Sequence, residues 1–340
     1  MKPGLRVQSI GPAATVQDPG RPGFRDRGLS PGGAADLLAL AEGAALLGQG
    51  PDLAALEMPA TGGRFVAEGP LRIALTGAPM AATLDDWPLA WNASHAMEPG
   101  QVLQIGGARA GVYGYLHLGG GIDMPLVMGA RSAHLAAGLG KPVSSGAFLP
   151  AGGGAGLSGQ LLDGTDRFNG GEIRVVASLQ TALFAEDTLA RFEATEFRRG
   201  GRANRMGVEM LSEGEGFAAD GQLDILSEVI VPGDVQMTGT GLPYVLLPEC
   251  GTTGGYPRIG TVIPADLPRV AQAQQGAPVR FRFVTLDDAL EIEAKRRDHA
   301  RHLRRAMRPL VRNVHEMSDL LAYRLIDGAV SAWDDPLTDS

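Results

Sequence analysis

The stretch Tyr244-Val245-Leu246-Leu247-Pro248-Glu249-Cys250-Gly251-Thr252-Thr253-Gly254-Gly255-Tyr256-Pro257-Arg258 reads as a short buried strand running into a turn with little side-chain bulk. Four apolar residues in a row fit a strand covered on both faces and are few for a helix. The adjacent Gly254 and Gly255 remove Cβ atoms and permit φ > 0, so that backbone amides can point at a ligand beside the Thr252 and Thr253 hydroxyls. Tyr256 is placed to close over such a ligand, and Pro257 stiffens the exit. The same residues also suit a tight structural turn between two strands, and local chemistry does not choose between the readings.

The pattern repeats on both sides. Short apolar runs at Leu71–Leu75, Val102–Ile105, Val112–Leu116 and Ile173–Val176 precede it, and runs at Asp224–Leu226, Val229–Val231, Val235–Met237, Ile259–Ile263 and Val279–Val284 complete the series. Separated by glycine-rich turns, strands this short and frequent predict a mainly β chain of barrel or sandwich type. With 49 glycines in 340 residues and no Gly-X-Y period, turns and bulges must be abundant. Helices are few. Ala34–Leu47 carries Asp36 in its first turn and stops at Gly48, Leu179–Phe197 is helix-like and could bridge two lobes, and a short helix near Asp266–Gln274 has Pro268 in its first turn. Residues 5–33 are dense in proline and glycine and predict an irregular loop carrying Asp18, Arg21, Arg25, Asp26 and Arg27. From Leu286 to about Ile326 glycine disappears and apolar residues take helical spacing, which predicts a helical tail divided at Pro309.

Composition narrows the function. A net charge of -8 argues against nucleic acid. The N-terminus has no apolar signal segment, no apolar run approaches a membrane span, and the lone Cys250 rules out a disulfide framework within the chain; together these predict a cytoplasmic protein. Lysine occurs only at 2, 141 and 295, so only Lys141 suits a lysine-based mechanism. Gly138-Leu139-Gly140-Lys141 resembles part of a phosphate loop, but Pro142 stands where the Mg²⁺-binding hydroxyl is needed. The six histidines show no zinc spacing, so no metal site is expected, and Cys250 has no histidine nearby in sequence and reads better as a packed thiol than as a nucleophile.

Several motifs recur in a known order. Thr15-Val16-Gln17-Asp18-Pro19-Gly20-Arg21-Pro22-Gly23 followed by Gly32-Gly33-Ala34-Ala35-Asp36 resembles the opening of the allophanate hydrolase subunit 2 family, also called biotin-dependent carboxyltransferase-like proteins or the C-type component of bacterial 5-oxoprolinase. Leu56-Glu57, Leu75-Thr76-Gly77-Ala78, Gly119-Gly120-Gly121-Ile122-Asp123 with Gly129-Ala130-Arg131-Ser132, Arg205-Met206-Gly207 and Gly233-Asp234-Val235-Gln236 match further family motifs. Thr252-Thr253-Gly254-Gly255-Tyr256-Pro257-Arg258-Ile259, Asp266-Leu267 and Gln272 continue the series, so the likeness covers roughly residues 5 to 285. Gly251 replaces a glutamine, Asn204 an aspartate and Glu42 an asparagine of the family pattern, which admits a substrate that is another amide or a urea-like compound.

The resemblance implies cyclophilin-like β-barrel lobes: an N-terminal lobe over 1–190, a C-terminal cyclophilin-like lobe over 191–285 and a helical tail over 286–340. It implies a subunit 1 (KipI-like) partner and a third, LamB/YcsF-type subunit, together opening the pyroglutamate lactam at the expense of ATP, with Mg²⁺ as its companion. The alternatives it carries are the carboxyltransferase component of a biotin-dependent urea-type carboxylase, with biotin on another chain, and a non-catalytic regulatory partner of the KipI-like subunit. Both reactions need donors for developing negative charge and carboxylates that act as bases or ligands. Carried over residue by residue, the motifs nominate Asp18, Arg21, Asp36 and Arg205 as catalytic, and Glu57, Gln236, Thr252, Thr253, Gly254, Gly255 and Tyr256 as substrate-binding. Asp18 and Asp36 would act as base or ligand, and Arg21 and Arg205 would grip carboxylate or phosphate.

Overall fold

A computed structural model describes residues 2–154, 156–219 and 226–311. The N-terminal part is two facing sheets. One runs in the order Phe148–Pro150, Gly4–Ile10, Gly63–Ala67, Val102–Ala108, Met80–Leu84, Trp87–Pro88. The other runs Thr15–Gln17, Ala55–Pro59, Tyr113–Leu118, Leu71–Gly77, Ala93–Met97, Gln160–Leu161, Arg308–Pro309. Residues Leu5, Val7, Phe65 and Leu103 of the first sheet meet Leu56, Met58, Ile73 and Leu116 of the second, forming one core between the layers.

Helix α1 (Leu37–Leu47) lies on the outer face of the second sheet. This explains why Tyr113–Leu118 is buried at every position instead of alternating: it has the sandwich on one side and a helix on the other. The fit is close at Gly43, where a Cβ would stand 2.3 Å from the His117 ring. The Thr76 hydroxyl donates to the Ala39 carbonyl at 2.9 Å, and His117 Nε2 meets the same hydroxyl at 2.8 Å.

The C-terminal part is a closed seven-stranded barrel in the order Gly171–Val176, Arg258–Val262, Asp234–Met237, Pro243–Leu246, Gly207–Leu211, Phe197–Asn204, Pro278–Phe283. It closes through the parallel pairing of Gly171–Val176 with Pro278–Phe283. Its first strand therefore lies ahead of residue 190 in the chain. Helix α2 (Glu186–Ala194) sends Phe192 into the barrel core, stacked 4.8 Å from Phe281 and tilted 5.3 Å from Phe197. The same apolar cluster includes Ala35, Leu40, Tyr113 and Tyr115, so sandwich and barrel share a core across their seam. A short helix α3 (Leu267–Gln272), with Pro268 in its first turn, reaches that seam.

The mainly β reading holds, and most expected strands stand within a residue or two of their places. The Leu179–Phe197 helix does not: it resolves into a 3-10 turn at Thr181–Leu183 and α2, and Phe197 begins a barrel strand because its fully buried ring belongs to the barrel core. Asp36 is the N-cap of α1 and not part of its first turn. The 5–33 segment is not all loop: Gly4–Ile10 and Thr15–Gln17 are strands, their apolar residues absorbed by the sandwich core. In the tail, α4 (Leu286–His302) ends well before Pro309, which instead lies in a short strand beside Gln160. The expected helix beyond 311 and most of the Asp224–Leu226 run lie outside the described residues. Among the described residues no helix is long and apolar enough to cross a membrane.

Candidate functional site

The seam holds two buried ionic clusters. Asp36, at the start of α1, accepts from the Ala39 amide at 3.1 Å through Oδ1, while Oδ2 accepts from Arg167 Nε at 2.7 Å and Gln272 Nε2 at 2.9 Å. Gln272, on α3, also takes the backbone N–H groups of Val112 and Tyr113, both at 2.9 Å, tying the barrel's helix to the sandwich. The other edge of Arg167 grips Glu42 in a bidentate pair at 2.9 and 2.7 Å. In the second cluster Arg205 donates to Glu57, Glu249 and the Gly33 carbonyl. Glu57 Oε2 accepts from Tyr115 Oη at 2.6 Å and the Ala35 amide at 2.8 Å. Tyr115 Oη also accepts from the Asp36 amide at 2.9 Å, which joins the clusters.

Each cluster sets one guanidinium between two carboxylates. Burial works against the Arg205 charge, but Glu57 and Glu249 outweigh it and hold its pKa above the usual guanidinium value; Asp36 and Glu42 do the same for Arg167. With one cation for two anions, an excess negative charge remains, and burial pushes Glu42 up against the pull of Arg167. Burial, reinforced by the neighbouring Glu57 and Asp36 charges, also raises Tyr115 well above its ordinary value, so it remains a phenol that can donate to Glu57. These groups are saturated with protein partners. They orient α1, the sandwich and the barrel relative to one another, and they leave no open acid or base in either cluster.

Asp18 and Arg21 lie at the edge of the second cluster. Asp18 is spent on backbone: its carboxylate accepts from the Gly20 amide at 2.9 Å and the Arg131 amide at 2.5 Å. Arg21 is only 2% exposed. It donates to the Ser132 and Val127 carbonyls, yet its Nη1 has no partner among the described residues. Burial lowers its pKa, offset in part by Asp18 and Glu249. His134 stands beside it. Its Nδ1 accepts from the Ala137 amide at 3.2 Å, which leaves Nε2 to donate to Ser30 Oγ at 2.8 Å as a neutral ring. Burial holds it neutral against the attraction of Glu249, 3.8 Å away.

The turn after Leu247 divides between two surroundings. Its first half enters the seam: the Pro248 carbonyl accepts from the Gly32 amide at 3.1 Å, and Glu249 meets Arg205. Its second half is at the surface. Thr253–Gly254 pairs with Glu228–Val229, and Tyr256 is 51% exposed. Gly254 does not use the left-handed region. Gly254 lets the Gln236 amide approach closely: a Cβ would fall 2.6 Å from Gln236 Nε2, a buried donor with no partner among the described residues, so any side chain there would displace that amide. Cys250 packs with Ile230 and Leu246, and burial pushes its thiol up to about 12, as a packed thiol should behave.

The structure thus brings Asp36, Glu57 and Arg205 together and sets Asp18 and Arg21 next to them through Glu249. Gln236 and Thr252–Tyr256 form a second patch. Glu249, Arg167, His134 and Tyr115 join the site without having been nominated by the sequence. Glu249 carries a usable signal there, being a carboxylate at the end of a buried strand; Arg167 is 131 residues from Asp36 and has none.

Residues 27–283 match the family model of the carboxyltransferase domain, subdomains A and B. The chain is 32% identical over 312 residues to the C-type subunit of 5-oxoprolinase from Haemophilus influenzae, covering 88% of this chain and 98% of that protein. It is 33% identical over 293 residues to the corresponding 5-oxoprolinase subunit of Escherichia coli, covering 84% and 93%. Among solved structures, the K. lactis urea amidolyase superposes with a TM-score of 0.81 at 23% identity over 89% of this chain, which is 20% of that longer chain, and shows a shared fold. The chain belongs to the carboxyltransferase-domain family, subdomains A and B.

Proposed function

We propose that this chain is the C-type subunit of a 5-oxoprolinase, a multi-subunit enzyme that opens the 5-oxoproline lactam to glutamate at the expense of ATP. One observation carries the reading: the similarity to both 5-oxoprolinase subunits runs end to end, over 98% and 93% of their lengths. The likeness to urea amidolyase, at 23% identity, supports the fold and gives the carboxyltransferase alternative less weight. The partners in this proposal are a KipI-like subunit 1 and a LamB/YcsF-type subunit, in the cytoplasm.

Geometry refines the roles. Asp36, Glu57 and Arg205 act as positioning residues, because their polar atoms are committed within the seam. Asp18 holds the loop that carries Arg21. Arg21 Nη1 is a cationic donor beside that seam with no partner among the described residues, suited to an oxyanion developing on a lactam carbonyl once a conformational change or a partner loop admits it. Gln236 and the Thr252–Tyr256 loop supply amide and hydroxyl donors near the surface, where a partner subunit can complete a site.

Reconstitution with the two partner subunits, followed by 5-oxoproline-dependent ATP hydrolysis and glutamate release, tests the proposal. Turnover that requires this chain is expected. No turnover by the complete complex, with urea-dependent carboxyl transfer when a biotin-carrying partner is supplied, would replace this reading with the carboxyltransferase one.

A further inference from the structure

Arg21 Nη1 lies below the surface, so it meets a ligand only after something moves. Its neighbours identify what moves. A Cβ on Gly32 would fall 3.1 Å from His134 Cδ2 and 3.4 Å from Arg21 Nη1, so the His134 ring and the guanidinium flank a residue that has no side chain. The ring itself is only 3% exposed. The chain beyond it leads straight to the surface, where it forms the 3-10 turn Leu135–Ala137, and Ala136, Ala137 and Gly138 are exposed.

Few bonds hold that turn. Backbone hydrogen bonds between His134 and Leu139, at 2.8 and 3.0 Å, close its base. Two of its amides are met by side chains: Ala136 donates to Glu249 Oε2 at 3.1 Å, and Ala137 donates to His134 Nδ1 at 3.2 Å. His134 Nε2 in turn donates to Ser30 Oγ at 2.8 Å. The ring is therefore a clasp with one end on the turn and the other on Ser30. Nδ1 can accept from Ala137 only while it carries no proton.

Protonation turns that acceptor into a donor facing the Ala137 N–H. The new charge then stands among Glu249, Arg21 and Arg205, which come from three different segments, while its own turn, Leu135–Leu139, carries no charge. Two of the three repel it. Glu249 Oε2 is 3.8 Å from Nδ1 and attracts it, but this carboxylate is already paired with Arg205. Burial is the largest cost of charging the ring, and it holds the pKa below its ordinary value.

We propose that His134 is a proton-operated latch over Arg21. As a neutral ring it fastens the Leu135–Leu139 turn and keeps Nη1 closed; as an imidazolium it releases the Ala137 amide, and the turn swings out to uncover Nη1 for an anionic or carbonyl oxygen. The role of Nη1 is taken from the 5-oxoprolinase reading, on which this inference rests. Hydrated in the open form, the ring titrates near 6.5. Above that pH both forms are neutral and the latch holds fully. Below it the open form takes up a proton that the closed form refuses, and the open fraction grows by up to about tenfold per pH unit until the closed form protonates as well.

Hydrogen exchange of the full chain by NMR, corrected for intrinsic rates, tests this without turnover. Between roughly pH 7 and pH 5.5, the Ala137 amide and the Arg21 guanidinium protons should lose protection together, by about three- to tenfold. His134→Phe keeps a ring without a titrating nitrogen and should show no such step. Ser30→Ala removes the partner of Nε2 and should raise opening at pH 7 by about three- to tenfold, which keeps the test decisive if His134→Phe does not fold. Ala137 protection that ignores pH, a step that persists in His134→Phe, a step at Ala137 without one at Arg21, or an unchanged Ser30→Ala chain would each overturn the latch. A failed latch leaves the 5-oxoprolinase reading standing, and a complex that does not turn over 5-oxoproline removes that reading while the exchange result stands.

Discussion

Replacing Arg205 by methionine removes the cation of the second seam cluster while keeping most of its volume. Three donations are lost, to Glu57, Glu249 and the Gly33 carbonyl. Hydrogen bonds from a charged donor contribute about 1.5–3 kcal/mol each, but bonds sharing one side chain are not additive. The larger effect is on what remains. Glu57 and Glu249 stay buried with no cation between them, so the local charge goes from one excess negative to two. Glu57 keeps Tyr115 and the Ala35 amide, and Glu249 keeps the Ala136 amide at 3.1 Å, which limits the damage. Breaking a buried pair by removing one partner costs about 3–5 kcal/mol, and Arg205→Met should fall in that range. Adding Glu57→Gln should recover about 1–2 kcal/mol, since a neutral amide oxygen still accepts from Tyr115 and Ala35. Urea unfolding, followed by circular dichroism and compared at constant slope, reads both values. An Arg205→Met chain within about 1 kcal/mol of wild type, or a double variant less stable than the single one, would refute the account of Arg205 as the clasp of the seam.

Two other perturbations probe the packing. Burial lowers His117 to about 3, and in the unfolded chain the ring titrates near 6.5, so neutral His117 contributes stability above 6.5 that is lost as pH falls toward 3. Between pH 7 and pH 5 that loss is about 2 kcal/mol, and His117→Gln should remove this part of the slope in parallel urea titrations; identical slopes would show that the ring is not held neutral. Gly33 has φ +86°, and a Cβ there would stand 2.7 Å from the Gly20 amide nitrogen, whereas Gly23 has φ +91° with nothing within 4 Å. Gly33→Ala should therefore cost at least about 2 kcal/mol more than Gly23→Ala, where backbone strain acts alone; equal costs would remove the steric argument.

How much is legible in the sequence follows from the range of each interaction. Period, glycine spacing and apolar runs are local, so the mainly β character, the α1 helix and the Pro268 helix can be read from neighbouring residues. Leu179–Phe197 fails as a single helix because the helical pattern of its middle extends to a phenylalanine whose position is set by the barrel core. The left-handed reading of the Thr252–Gly255 turn fails too: neither Gly254 nor Gly255 has a positive φ, and what stands close to Gly254 is the Gln236 amide from another strand, a contact no local rule contains.

Composition, period and spacing along the chain are enough to establish the class of fold, the ordered motifs and the residue types at the site. What those residues touch is decided in three dimensions. Asp36 lies 131 positions from Arg167 and 236 from Gln272, and Glu57 lies 148 from Arg205. Whether such a carboxylate is an open base or a saturated brace depends on which distant donors reach it once water is excluded. In this chain those donors close the seam and leave Arg21 Nη1 beside it without a partner among the described residues.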